Sequence, residues 1–328
     1  MDITRLFTTH RKLLLVGLLI LLIAFVFTFP LYGGARTRIL TTMLMYTVLA
    51  VSWAMFSGTT GYMSLAPAAF LGMGVYSTAL LQDYLPFPVL IVVGGLISFV
   101  LALLLGLVTL RLKGIYFTIF SFGLVVLMAD AINYFEAEVL GRHGWYFIYM
   151  DRATLLYIMF GLAVVTVLAA YFISRSRLGL AMRSIGGNEE AAEHMGIDTT
   201  RIKVLTFAIS SIFMGAAGVV LAPSLTYSNA SIAFSVTNSF IPIVAAVFGG
   251  MGSLSGPVIG GLLFGFLDKT IRPVNPTYFM LGFGILMVVV VLFLPNGVVG
   301  LVPMLRDKLG GVISRLRKGS EGEQHANT

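Results

Sequence analysis

Apolar residues in this chain gather into long runs rather than alternating with polar ones. The runs cover about 13 to 29, 38 to 57, 61 to 82, 87 to 110, 114 to 133, 153 to 173, 202 to 222 and 277 to 294, with two shorter ones at 239 to 250 and 256 to 268. At 1.5 Å per residue, a helix of about 20 residues crosses the roughly 30 Å hydrocarbon layer, so the eight longer runs span it or nearly do, and neither short run does so alone. The pattern predicts an all-α, polytopic membrane helical bundle with about ten membrane segments, including a pair of short or re-entrant segments. The organisation expected is an N-terminal tail at 1–12, a membrane domain at 13–302 and a basic C-terminal tail at 303–328, disordered at its end. The first run, behind Arg5, Arg11 and Lys12, also fits a cleaved signal peptide ending near Gly33, Gly34 and Ala35. Its length favours a retained span.

The longest charged interruption between apolar runs is residues 174–203. Within it Asn188 is placed to cap a short helix of about two turns, with Glu189 and Glu190 in the first turn, where exposed amides and the helix dipole favour acids. Gly196 is placed to stop that helix. On physics alone, a hydrophilic connector and a docking element for a partner fit this loop equally.

Composition narrows the class. With 58% hydrophobic and 11% charged residues and a mean hydropathy of +0.96, the chain is too apolar for a soluble core with a charged surface. It has no cysteine, which excludes disulfides and thiolate metal sites, and its four histidines, His10, His143, His194 and His325, are too scattered to suggest a shared metal. The net charge of +7 sits in short flanks of the apolar runs, not in an aromatic-interleaved patch, so membrane orientation explains it better than nucleic acid. With a cytoplasmic N-terminus and ten segments, fifteen Lys and Arg fall inside and six outside, namely Arg36, Arg38, Arg142, Arg152, Lys269 and Arg272. That bias predicts both termini and the 174–203 loop on the cytoplasmic side, provided the short pair goes in and back; as one broken span it would put the C-terminal tail opposite the loop.

The spans carry few ionisable groups: Asp130 and Asp268 lie near predicted ends, and no Glu, Lys, Arg or His sits mid-span. Proton- and ion-coupled carriers usually need such groups. No G-x-x-x-x-G-K-[ST] loop is present to cradle ATP phosphates, so hydrolysis is expected on another chain. Gly252-Ser253-Leu254-Ser255-Gly256 looks superficially like a nucleophile turn, but Ser253 stands where G-x-S-x-G needs glycine, and no histidine lies in a span as a base. An enzyme is not expected.

Small residues are patterned. Ala208, Ser211, Gly215, Gly218 and Ala222 share one helical face, and Gly256, Gly260 and Gly265 nearly do, which suits close helix packing. Gly61-x-x-Ser64-Leu65 also recurs as Gly250-x-x-Ser253-Leu254. Two helix breaks are expected there, with a substrate path along Gly58, Gly61, Ser64, Gly249, Gly250, Gly252 and Ser253. Half-helix amides after Ser64 and Ser253 would face a carboxylate, and carbonyl ends before Gly58 and Gly249 an ammonium group. Tight packing explains the same glycines.

Glu190-Ala191-Ala192-Glu193-His194-Met195-Gly196 matches E-A-A-x-x-x-G and resembles the loop by which ABC importer permeases dock on their ATPase subunits. Together with GYMSLAPAAFLGMGVYSTALL from Gly61, RLKGIYFTI from Arg111 and VFGGMGSLSGPVIGG from Val247, it makes residues 40 to 300 resemble the permease subunit of a branched-chain amino-acid ABC importer, of the M type, in one family with ribose-type permeases. The resemblance implies transport of branched-chain amino acids, or of another small polar solute such as urea, an amide or a ribose-type sugar, across a bacterial inner membrane. It also implies a second related permease chain, two ATPase subunits, a periplasmic or extracellular solute-binding protein and a lipid surround. ATP and magnesium would sit on the ATPases, with no cofactor on this chain. Asn188, Glu189, Glu190, Ala191, Ala192 and Gly196 would form the coupling loop. The chain departs from many relatives in having Ala66-Pro67 where they have G-H, in lacking I-x-L-P after the E-A-A loop, and in a shorter 134–152 segment.

Overall fold

The computed structural model describes residues 34–271 and five isolated positions between 281 and 288. The tails at 1–12 and 303–328, the first apolar run and most of the last one lie outside the described residues. Helix α1 (Gly34–Trp53) runs into a π turn at Ala54–Gly58. Thr59 and Thr60 close that turn by donating hydroxyl protons to the carbonyls of Met55 (2.7 Å) and Phe56 (2.8 Å). Residues 61–66 are irregular, and Gly61 has φ +75°.

The run at 61 to 82 is therefore not one span. Helix α2 (Pro67–Leu81) has 15 residues, about 22 Å at 1.5 Å each, and falls short of the hydrocarbon thickness. Proline explains where it starts: Pro67 has no N–H to lose at the first helical position, and it biases the residue before it away from helix. Almost all of α2 is buried inside the bundle.

Helices α3 (Phe87–Thr109), α4 (Ile115–Tyr134, extended by a π turn at Phe135–Val139) and α5 (Arg152–Arg175) are long and apolar. Each exposes large hydrophobic side chains along its length, as a face toward lipid requires. The loop at 174–203 folds into α6 (Arg177–Gly187) and α7 (Glu189–His194) before α8 (Thr199–Leu225) returns through the bundle. The short α9 (Ala230–Ala233), α10 (Thr237–Gly249) and α11 (Ser255–Thr270) complete the described chain. Among the described residues, six helical stretches are long and apolar enough to cross a membrane: 36–58, 87–109, 115–139, 152–175, 199–225 and 230–249. The all-α reading needs one amendment. Two-residue strands β1 (Trp145–Tyr146) and β2 (Tyr227–Ser228) pair antiparallel, with Trp145 opposite Ser228.

Two seams of small residues hold the bundle together. In the first, α8 packs on α2 and α3; a Cβ on Gly74 would overlap the carbonyl oxygen of Gly215, and one on Gly218 would overlap that of Leu71. In the second, α10 and α11 pack as an antiparallel hairpin, where Gly249 meets Gly256 and Gly260 meets Ala245, while Gly261 and Gly265 lie against Thr47 and Met43 of α1. With about 20 and 24 Å of helix on its two arms, the short pair goes in and back rather than forming one broken span. The packing expected of Gly215, Gly218, Gly256, Gly260 and Gly265 is what the structure contains. At the opposite end from the α6–α7 loop, buried Glu136 accepts a hydrogen bond from the Tyr76 hydroxyl (3.0 Å), and Arg142 stacks 3.2 Å from the centre of the Trp145 ring.

Candidate functional site

The two helix breaks and the 174–203 loop lie at the same end of the bundle. Thr59 touches Met182 of α6 (Oγ1 to Sδ, 3.6 Å), and a Cβ on Gly186 would overlap the Thr59 carbonyl oxygen. A cavity of about 370 Å³ brings Gly58 and Thr59 together with Gly252, Ser253, Pro257 and Arg183. Of the seven predicted path residues, Gly58, Gly252 and Ser253 line this cavity. Gly61 is exposed beside it, whereas Ser64, Gly249 and Gly250 are buried in packing. Gly250 has φ +105°, a conformation open to glycine, and turns the chain between α10 and α11.

At the first break the backbone donors expected to await a carboxylate are already engaged. The amides of Ser64, Leu65 and Ala68 donate to the hydroxyls of Ser57 (3.2 Å), Ser121 (2.8 Å) and Ser239 (3.0 Å). Trp53 Nε1 donates to the Ser64 carbonyl at 2.7 Å. Irregular backbone inside an apolar bundle must be paired in this way, and four elements supply the partners. The pairing joins positions up to 171 residues apart, so no local pattern announces it.

The short helix in the loop forms as its caps dictate. Asn188 Oδ1 accepts from the Ala191 amide at 3.0 Å. Gly196 has φ +83° and the Ile197 amide returns to the Ala192 carbonyl at 3.1 Å, a Schellman-type ending. Glu190, Ala191, Glu193, His194, Met195 and Gly196 are exposed, whereas Ala192 is buried against the bundle. The result is a short helix with a free outer face.

Glu189 does not belong to that face. Its carboxylate turns inward, where Oε1 lies 2.6 Å from Lys203 Nζ and Oε2 accepts a short hydrogen bond from the Tyr62 hydroxyl. Lys203, with its side chain only 3% exposed, also donates to the Tyr62 hydroxyl (3.2 Å) and the Leu110 carbonyl (3.3 Å). Burial alone would push the Glu189 carboxyl up. The hydrogen bonds from Lys203 and Tyr62, with the charge of Lys203 and more distantly Lys113, outweigh it and hold the group below its ordinary range. Tyr62 and Lys203 escaped the sequence reading, which counted Lys203 only as an orienting charge. The available signal was a lysine in the second turn of an apolar helix, which must find an acid when buried.

The comparisons agree with this geometry. The family described as "Branched-chain amino acid transport system / permease component" matches residues 35–291. The chain is 29% identical to the high-affinity branched-chain amino acid transport system permease protein LivM of Salmonella typhimurium, over 97% of this chain and 80% of that protein. It is 34% identical to LivH of Escherichia coli K12 over 39% of this chain and 42% of the relative. The ribose import permease protein RbsC of Haemophilus influenzae is 28% identical over 40% of this chain and 42% of its own. With a match running from the start of α1 past the end of α11, this multi-pass chain belongs to the family of permease components of branched-chain amino acid transport systems.

Proposed function

We propose that the chain is the membrane permease subunit of an ABC importer that moves branched-chain amino acids across the bacterial inner membrane, driven by ATP hydrolysis on separate subunits. The observation that carries this is the family match across 35–291, and the exposed outer face of α7, capped at both ends, supports it. In this reading Glu190, Ala191, Met195 and Gly196 present the surface on which an ATPase subunit docks, and Asn188, Glu189 and Ala192 hold that surface on the bundle. The cavity between Gly58 and Ser253 is the cytoplasmic mouth of the path. A second related permease, two ATPases carrying ATP and magnesium, and a soluble binding protein outside complete the importer. Both termini and the 174–203 loop face the cytoplasm.

The test is expression with the ATPases encoded beside it, followed by co-purification and uptake of radiolabelled L-leucine. The unaltered chain should retain the ATPases. Gly196→Val places a β-branched residue at φ +83°, where L-residues pay roughly 1–2 kcal/mol, and should lose both ATPases and uptake while still inserting. Unchanged uptake in this variant would make the loop a connector. The partial match to a ribose permease supports a second reading, a sugar or other small polar solute as cargo. Titrating the neighbouring binding protein with L-leucine, D-ribose and urea separates the two.

A further inference from the structure

The docking helix is tied to the first helix break by more than chain connectivity. Lys203 has three N–H donors, and all three are used, on Glu189, Tyr62 and the Leu110 carbonyl. Glu189 in turn accepts from both Lys203 and Tyr62. Each member of this buried ring is satisfied only while the other two stay in place, so the ring holds or breaks as a unit. It joins α7, the start of α8, the end of α3 and the irregular 61–66 segment.

From Tyr62 the contact continues into the core through aromatic rings. Tyr62 meets Phe117 of α4 edge-on at 5.7 Å, Phe117 meets Phe207 of α8 at 6.1 Å, and Phe207 meets Phe70 of the buried helix α2 at 5.2 Å. Phe56 of the π turn closes on Phe207 at 5.0 Å. Beside this chain, α6 bears directly on Thr59 through Met182 and Gly186. A displacement of α6 and α7 therefore reaches both flanks of the break through packed, fully satisfied contacts.

The geometry points to Tyr62, Glu189 and Lys203 as a transmission joint, which carries movement of the ATPase-docking helix into residues 59–66 and through the aromatic rings to α2. The inference rests on the reading of α7 as a docking helix. The three residues are positioning residues and touch no cargo. A mere staple would hold α7 in shape for docking, whereas a joint also converts nucleotide-driven movement of α7 into movement of the break.

The experiment uses the complete importer in liposomes, with L-leucine and its binding protein outside, and reads three quantities: ATPase retained, ATP hydrolysed and leucine taken up. Tyr62→Phe keeps the ring and removes the hydroxyl. The pair Glu189→Gln with Lys203→Met removes both charges together, so no buried ion is left unpaired. Expected for both is retention of the ATPases, hydrolysis close to normal, and a fall of about tenfold or more in leucine carried per ATP. A normal ratio in Tyr62→Phe overturns the joint. Loss of the ATPases from Tyr62→Phe also overturns it, because the ring then only shapes the docking face. Failure of the unaltered chain to hold ATPases is failure of the proposed function itself, and it appears before any variant is made.

Discussion

Replacing Ser121 or Ser239 by alanine tests whether the first helix break is held by side-chain hydroxyls. Ser121 accepts from the Leu65 amide at 2.8 Å and Ser239 from the Ala68 amide at 3.0 Å, and both serines are fully buried. Deleting either hydroxyl strands a backbone donor that cannot rejoin a helix, because the chain at 61–66 is irregular and Pro67 carries no N–H. An unpaired buried amide costs about 1–3 kcal/mol. An ordinary interhelical hydrogen bond in a membrane is worth only about 0.6 kcal/mol on average, because lost partners are readily replaced. Thr166→Ala is the matched control: that hydroxyl is equally buried but only bonds back to the Leu162 carbonyl four residues earlier, and its loss should cost well under about 1 kcal/mol. The assay is detergent-induced unfolding of purified protein in mixed micelles, followed by the fluorescence of Trp53, whose indole donates to the Ser64 carbonyl and so reports on the break itself. Destabilisation by both serine variants beyond the threonine control is expected. If Ser121→Ala and Ser239→Ala unfold together with Thr166→Ala, the hydroxyls do not hold the break and the reasoning fails.

Two further outcomes follow from geometry already described. Gly218→Ala should cost about 1–3 kcal/mol by forcing α8 off the Leu71 carbonyl, whereas Gly161→Ala, with open space around it in α5, should be neutral or stabilising by up to about 1 kcal/mol; melting temperatures of the purified variants compare them, and equal effects would refute the seam. Because the Glu189 carboxyl is held below its ordinary range, its contribution is present above that range and fades as pH falls through the lower folded-state value. The difference in melting temperature between the unaltered chain and Glu189→Gln should stay constant from about pH 8 to 5 and shrink below about pH 4. Shrinkage between about pH 7 and 5 would mean that burial wins over the bonds to Lys203 and Tyr62.

Helix α7 was legible in the sequence because its caps are local: Asn188 and Gly196 act within a few residues. The glycine faces of α8 and α11 were legible for a similar reason, since close packing leaves a helical period in residue size. The break at 61–66 was only half legible. Tyr62, Leu65 and Ala66 keep the run apolar, so hydropathy passes through the interruption, and Pro67 was the one mark of where α2 begins. The direction of Glu189 was hidden, because it depends on Tyr62, 127 positions away, and on a lysine that looked like a topology charge. The pairing of β1 with β2 lies in a segment whose composition carries no strand period at all.

The seam between α2 and α8 bears on the order in which the protein can assemble. Gly74 waits for Gly215, about 140 residues further along the chain. At roughly 5–20 residues per second of synthesis, α1 to α5 stand in the membrane for some 7 to 28 seconds with their small-residue faces unfilled. Helix α2, too short to cross by itself, has no burial site until α8 arrives. Chains halted before residue 199 should therefore remain loose and open to membrane proteases, and the last third of synthesis turns a set of inserted helices into a packed core.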